Sequence, residues 1–108
     1  MKISFIVVGQ VQGVMYRKSF CMCAKSRGLL AGATNLEDRT RVHCSLEGYE
    51  EDIENFLLEL TSAKSINSWG AKVDFIERLS EYKDLSDHDY DNCELDGSLS
   101  LGGVKLLI

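Results

Sequence analysis

The stretch "ISFIVVGQVQGVMYRKSFCMCAKSRG", residues 3–28, decides the fold, because it predicts a strand, a loop and a helix in direct succession. Residues 3–8 are apolar and rich in β-branched side chains, which is typical of a strand. Residues 9–16 contain two glycines and predict a loop, and a helix is predicted from 17 to 27. Gly28 predicts the end of this helix. The apolar face of the helix is formed by Tyr16, Phe20, Cys23 and Ala24.

Two strands follow this helix and are predicted to form a hairpin. The first covers 30–36, and the second covers 42–46, "VHCSL", in which apolar and polar residues alternate. The polar residues "EDRT" between them predict a turn. In the second strand, Val42, Cys44 and Leu46 are predicted to face the core, and His43 and Ser45 are predicted to face outward.

A second helix and a fourth strand complete the predicted core. Residues 50–60, "EEDIENFLLEL", carry apolar side chains at helical spacing. Residues 71–79 alternate as a strand up to Ile76, so that Ala71, Val73 and Phe75 are predicted to face inward. Trp69 is predicted to be a core or edge aromatic at the start of that strand. Residues 80–98 are acidic and weakly patterned, and 104–108 predict a short edge strand.

The order β-α-β-β-α-β is that of a ferredoxin-like α+β fold, with both helices on one face of an antiparallel sheet and an extra C-terminal segment. The 108 residues predict a single domain, 1–108. A net charge of −5 disfavours a nucleic-acid partner, which needs a basic surface. Neither a secretory signal nor an apolar run of membrane-helix length is visible. We therefore expect no membrane partner, a cytoplasmic location and a monomer.

The cysteines and histidines predict no metal site. The chain has four cysteines but no CxxC pair. An even number permits two disulfides, but free thiols are predicted, because nothing in the sequence indicates an oxidising compartment. His88, within "DHD" at 87–89, is predicted to lie in a solvated acidic loop rather than to bind a cation, since no second set of ligands is nearby.

The junction between the first strand and the first helix has the chemistry of an anion site. The first backbone N–H groups of a helix have no internal partner and can bind an anion. Gly13 allows the chain to curl so that successive N–H groups point at one place, and the side chain of Gln12 could brace that turn. Arg17 adds a planar cation that matches phosphate oxygens. From the spacing alone, an ordinary tight turn followed by a solvated arginine is the favoured interpretation.

A resemblance changes this interpretation. The stretch "GQVQGVMYR", 9–17, resembles the acylphosphatase signature, in which a glycine and two residues precede Gln-Gly-Val and a closing aromatic–arginine pair. The segment "AKSRGLLAGATN", 24–35, is similar to the family's stretch from the end of the first helix to an asparagine of the second strand. Further similarity at 42–48 and 71–77 extends the resemblance over about residues 3–79. The family's fold is ferredoxin-like, as the order of elements also predicts.

The resemblance implies hydrolysis of the carboxyl–phosphate bond of small acyl phosphates, with inorganic phosphate as a product and without metal or cofactor. It implies that Arg17 clamps the phosphate and that Asn35 holds the attacking water. A non-catalytic anion-binding or regulatory ferredoxin-like domain is the alternative. The phosphate-binding residues that the resemblance implies are Val11, Gln12, Gly13, Val14, Met15, Tyr16 and Arg17.

The sequence departs from the family pattern at four places. The turn after Asn35 reads "LEDRT", with Arg39 in place of the usual glycine, so the hairpin register could change there. Ala31-Gly32 stands where the family usually has Gly-Trp, so this part of the core must pack differently. The usual Gly-Pro after the second helix is absent, and the tail beyond about residue 80 is longer than usual.

Overall fold

A computed structural model describes residues 1–93 and 103–108 of the chain. The described residues contain two helices, α1 (Tyr16–Ser26) and α2 (Glu50–Ser62), and a 3₁₀ turn at Leu85–Asp87. They also form one sheet of five strands, β1 (Lys2–Gln10), β2 (Leu30–Asn35), β3 (Arg41–Glu47), β4 (Lys72–Leu79) and β5 (Tyr90–Asp91).

The sheet has the strand order β4-β1-β3-β2-β5, and every neighbouring pair is antiparallel. Alternate residues of the strands and the apolar faces of α1 and α2 share one buried cluster, so both helices cover the same face of the sheet. This arrangement confirms the predicted ferredoxin-like α+β fold. The predicted inward residues of β3 are fully buried, namely Val42, Cys44 and Leu46.

A column of aromatic rings fixes the start of α1. The ring of Phe20 stacks against Tyr16 at 5.7 Å and against Phe56 of α2 at 5.6 Å, and meets Phe5 of β1 edge-on at 6.1 Å. Such aromatic pairs contribute about 0.5–1.5 kcal/mol each beyond the burial of their surface. Because Tyr16 is the first residue of α1, this packing also fixes the end of the loop that precedes it.

The predicted inward position of Phe75 is wrong, since its side chain is 55% exposed. Val8 pairs with Phe75, and the next residue of β1, Gly9, pairs with Val73, so Asp74 is an extra residue that forms a β-bulge. The bulge reverses the alternation, and Ile76 takes the inward side. A Cβ at Gly9 would collide with the carbonyl oxygen of Lys72, so the close approach of the two strands requires glycine there.

Residues 80–93 cover much of the other face of the sheet, so Ser45, which was predicted to face outward, contacts this segment rather than solvent. Ser45 is fully buried, and its hydroxyl donates to the carbonyl of Lys83 at 2.7 Å. The N–H of Lys83 donates to the hydroxyl of Ser4 at 2.8 Å, and the two serine hydroxyls lie 2.6 Å apart. His43, predicted to face outward beside Ser45, is only partly exposed, because its ring lies 5.3 Å from that of His88.

The prediction that His88 is solvated is also wrong, because only 7% of the residue is exposed. Its Nε2 lies 2.7 Å from Ser45 Oγ, and its Nδ1 lies 2.9 Å from Thr34 Oγ1. The ring covers Gly32 so closely that a Cβ there would lie 2.7 Å from Cδ2 of His88. The C-terminal segment therefore fills the space above β2 where a larger side chain is expected from the family pattern.

The edge strand predicted at 104–108 does not join the sheet within the described residues. Leu106 forms an isolated antiparallel bridge with Asn67, and the backbone of Lys105 and Leu107 bonds to Ser68 and Ile66. The described strand that extends the sheet beyond β2 is instead β5, which lies within the weakly patterned region 80–98. Residues 94–98 of that region lie outside the described residues.

All four cysteines lie in the described part of the chain, and each is a free thiol, as predicted. Cys21, Cys23 and Cys44 are buried, and burial raises the pKa of each thiol, to about 11 at Cys23. They therefore pack as neutral, unreactive side chains. No helix among the described residues is both long and apolar enough to cross a membrane.

Candidate active site

The loop between β1 and α1 contains two residues in the left-handed region of backbone conformation. Gly13 has φ 76°, and Met15, which caps the N-terminus of α1, has φ 57°. This conformation is uncommon for a non-glycine residue and costs about 1–2 kcal/mol. Within the described chain, the backbone N–H groups of residues 12–17 donate to no other backbone group. The loop thus holds a series of free donors at the positive end of the α1 dipole.

The side chain of Gln12 braces this loop against the β2–β3 hairpin. Its Nε2 donates to the carbonyl of Leu36 at 2.8 Å and to that of Arg41 at 2.9 Å. A longer contact of 3.3 Å reaches the carbonyl of Asp38. One amide therefore connects the loop to both strands of the hairpin that carries Asn35.

A cleft of about 250 Å³ opens at this junction and brings most of the predicted site residues together. Val14 does not line it; its side chain packs against the core. Tyr16 is 1% exposed, so its ring belongs to the core while the residue also borders the cleft. The cleft is lined by Val11, Gln12, Gly13, Met15, Tyr16, Arg17, Asn35 and Trp69.

Asn35 is the last residue of β2, and the altered turn that follows does not change its register. The pairing of β2 with β3 runs without a shift from Leu30↔Glu47 to Asn35↔Val42. Asp38 stabilises the turn by accepting bonds from the N–H and hydroxyl of Thr40 at 2.9 and 2.7 Å. The Oδ1 atom of Asn35 is buried and accepts no hydrogen bond from the described residues. This amide oxygen is therefore an unused hydrogen-bond acceptor on a residue that lines the cleft.

Arg17 has a protein partner that the sequence did not reveal. Its Nη1 lies 3.7 Å from Oδ2 of Asp89, and both side chains are partly exposed. Asp89 is held next to the cleft because its N–H donates to Thr34 Oγ1 at 2.9 Å. No local pattern marks this residue, because the two partners are brought together by contacts of the segment around Asp89 with β2, which is distant in sequence.

Asn67 is a second residue that sequence reasoning missed. It is fully buried, and its Nδ2 donates at 2.8 Å both to the carbonyl of Val14 and to Ser19 Oγ. Its Oδ1 accepts from the N–H groups of Trp69 and Ala71 at 3.0 and 3.1 Å. The amide thus satisfies donors and acceptors of two segments that are remote in sequence. The sequence signal was weak, since an asparagine shortly before a glycine is typical of any turn.

Trp69, for which a core or edge position was predicted, is not part of the core. The residue is 50% exposed and lies in the loop that precedes β4, where it borders the cleft. The structure therefore groups Arg17, Asn35 and Trp69 from three different segments around one opening.

A family model and two solved structures relate the chain to acylphosphatases. A family model described as acylphosphatase matches residues 3–91. The crystal structure of acylphosphatase from Bacillus subtilis is 30% identical, with a TM-score of 0.59, and the match covers 81% of this chain and 90% of that one. An acylphosphatase from Coxiella burnetii is 26% identical, with a TM-score of 0.60, over 81% of this chain and 87% of that chain. T. kodakarensis HypF is 35% identical, with a TM-score of 0.58, over 73% of this chain but only 10% of that protein.

Proposed function

Because the chain belongs to the acylphosphatase family, we propose that it hydrolyses the carboxyl–phosphate bond of small acyl phosphates to a carboxylate and phosphate. The N–H groups of 11–17 and the guanidinium of Arg17 bind the phosphoryl oxygens, and Asn35 positions the attacking water. The observation that carries the proposal is that Asn35 lines the same cleft as Arg17 and that its Oδ1 atom has no described hydrogen-bond donor.

The proposed reaction needs positioning and charge stabilisation rather than a strong acid. An acyl phosphate is a mixed anhydride, and its leaving group is a carboxylate of low pKa. Such a group departs without protonation, so catalysis depends on orienting the reactants and stabilising the phosphoryl oxygens. Backbone N–H groups and a fixed guanidinium do this without reorganising during the reaction.

The water is the second reactant of the proposed step. Asn35 Oδ1 accepts one hydrogen from it, which leaves an oxygen lone pair directed at phosphorus. The new P–O bond forms as the bond between phosphorus and the acyl oxygen breaks, and the electron pair leaves with the carboxylate. The phosphoryl group itself accepts the proton from the water, as the family resemblance implies.

Substitutions at the two side chains test the proposal. Arg17→Ala should lower kcat/KM for benzoyl phosphate by about 100-fold or more, because a charge-assisted contact to the transition state is lost. Asn35→Ala should lower kcat to a similar extent and change the inhibition constant of inorganic phosphate by less than about threefold, because a water-positioning group contributes little to phosphate binding. Steady-state hydrolysis and competitive inhibition by phosphate measure both effects.

Arg78→Ala is the matched control, because Arg78 is also a partly exposed arginine paired with a carboxylate, that of Glu54, outside the cleft. It should retain wild-type turnover. Full activity in Arg17→Ala would contradict the proposed clamp. Equal losses of phosphate affinity and turnover in Asn35→Ala would contradict the water-positioning role.

The match to one tenth of HypF supports one alternative, a non-catalytic anion-binding domain, because a domain of this fold also occurs within a longer chain. Calorimetry and a hydrolysis assay together distinguish the two functions. Phosphate binding in calorimetry without hydrolysis of either acetyl or benzoyl phosphate would favour the alternative.

A further inference from the structure

Trp69 is the one residue of the cleft to which phosphate binding and water positioning give no role. It is the only tryptophan of the chain, it is 50% exposed, and it lines the opening that Arg17 and Asn35 also line. A ligand group that contacts the indole of Trp69 at this position should itself be apolar.

The backbone that carries the indole is fixed from two sides. On the inner side, the side chain of Asn67 accepts a hydrogen bond from the N–H of Trp69 at 3.0 Å. It also donates at 2.8 Å to the carbonyl of Val14, in the loop between β1 and α1. On the outer side, Ser68 donates through its N–H to the carbonyl of Lys105, and its hydroxyl accepts from the N–H of Lys105, both at 2.8 Å. These hydrogen bonds fix the position of the Trp69 backbone relative to the loop between β1 and α1.

The cleft also has more room than a phosphoryl group needs. Its volume of about 250 Å³ corresponds to roughly eight water molecules at about 30 Å³ each. The N–H groups and the cation take up the charged end of an acyl phosphate. Its uncharged acyl end is left with the apolar lining, which Trp69 and Met15 provide.

We propose that Trp69 forms the acyl side of the cleft and selects acyl phosphates whose acyl group is aromatic or otherwise flat and apolar. This proposal rests on the proposed function, because it assigns the other half of the same substrate. An aromatic acyl group stacks on the indole, whereas an acetyl group offers little surface to it. The preference should arise in kcat/KM rather than in phosphate affinity.

Kinetics with two substrates test the proposal. In the wild type, kcat/KM should be higher for benzoyl phosphate than for acetyl phosphate. Trp69→Ala should lower kcat/KM for benzoyl phosphate by roughly two- to tenfold and for acetyl phosphate by less than twofold, because only the aromatic contact is lost. Trp69→Phe should keep most of the preference. Tyr49→Ala is the matched control, since Tyr49 is an aromatic residue 82% exposed outside the cleft.

The inhibition constant of inorganic phosphate separates a substrate contact from a structural role. It should be unchanged in Trp69→Ala, because phosphate does not reach the indole. Equal losses on both substrates, or a weaker phosphate inhibition in Trp69→Ala, would overturn the proposal.

A binding measurement keeps this inference distinct from the proposed hydrolysis. Phenylphosphonate and methylphosphonate resemble the two substrates but are not hydrolysed, and Trp69 is the only indole that can report their binding. Phenylphosphonate should change the Trp69 emission and bind more tightly than methylphosphonate, and both should lose affinity in Arg17→Ala. Tighter binding of phenylphosphonate without any hydrolysis of acyl phosphates would reject the proposed function but support the aromatic subsite. Hydrolysis of acyl phosphates with equal binding of the two phosphonates would support the proposed function but reject the aromatic subsite.

Discussion

The guanidinium of Arg17 lies next to a carboxylate, and this contact bears directly on the affinity of the cleft for anions. Asp89 lies 3.7 Å away and remains partly exposed, so the pair is only weakly stabilising in water. A phosphate bound at Arg17 would meet the negative charge of Asp89 as well as the positive charge of the arginine. If Arg17 binds the phosphoryl group as proposed, we expect Asp89 to reduce the affinity of the cleft for that anion.

Asp89→Asn should strengthen competitive inhibition by inorganic phosphate by roughly two- to fivefold at low ionic strength, since one repulsive charge is removed. Added salt should reduce this difference, because exposed charges are screened. Asp87→Asn is the control, as Asp87 is an exposed carboxylate from the same segment that makes no ion pair with Arg17. Unchanged or weaker inhibition in Asp89→Asn would show that the carboxylate does not act on the bound anion.

At the level of elements, the contact between β2 and the segment 84–89 depends on a single missing side chain. Gly32 leaves room for the ring of His88, and a Cβ at that position would lie 2.7 Å from Cδ2 of the ring. Gly32→Ala should therefore lower the free energy of unfolding by about 1–3 kcal/mol, the usual cost of overpacking. Chemical denaturation measures the change.

The same substitution in a His88→Ala background provides the control for this contact. Once the ring is removed, an alanine at 32 still lies about 3.1 Å from Cβ of residue 88, but the closer contacts with the ring atoms are gone. Gly32→Ala should therefore cost less in this background than in the wild type, because part of the coupling between the two touching residues is removed. If Gly32→Ala cost the same in both backgrounds, the destabilisation would have to come from another part of β2.

The elements with a clear apolar period were predictable from the sequence, and those defined by distant partners were not. The period of residues 50–60 identified α2 within two residues of its end at Ser62. The inward face of β4 was predicted correctly only as far as Val73, because the bulge at Asp74 depends on the pairing with β1. β5 has only two residues, too few to carry a period, and it is held by bonds to β2 that no local pattern records.

The same distinction applies to the site. The loop around Gly13 and the positions of Arg17 and Asn35 were predicted because a local motif and its spacing resemble those of the acylphosphatase family. Asn67 and Asp89 act through partners far along the chain, at Val14 and Arg17, so the sequence marked them only as turn or acidic residues.

At the scale of the whole molecule, stability should depend on pH through His88. Burial, with smaller effects from the charges of His43 and Lys83, lowers the pKa of His88 to about 4, although Asp89 and Asp87 oppose the shift. Its hydrogen bonds fit a neutral ring: Ser45 donates to the Lys83 carbonyl, so Nε2 donates to Ser45 and Nδ1 accepts from Thr34. Protonation therefore disfavours the folded state.

The sign follows from proton binding. Between pH 6.5 and about 4 the unfolded chain binds a proton at this histidine that the folded chain does not, so the free energy of unfolding falls as the pH falls. The loss should be on the order of 2–3 kcal/mol over that range and absent above it. Denaturation of wild type and His88→Gln at several pH values measures the effect. If the free energy of unfolding of His88→Gln fell as steeply with decreasing pH as that of the wild type, the pH dependence would have to come from other groups.

The hydrogen bonds of Asn67 have a consequence for the order of folding. Its partners Val14 and Ser19 lie 53 and 48 residues away along the chain. Bringing such distant segments together has an entropic cost that must be met before the contacts form. We therefore expect α1 and the β2–β3 hairpin to form before Asn67 fixes the loop between β1 and α1. If this loop binds an anion as proposed, that ability is acquired only when the distant segment that carries Asn67 and Trp69 has docked against it.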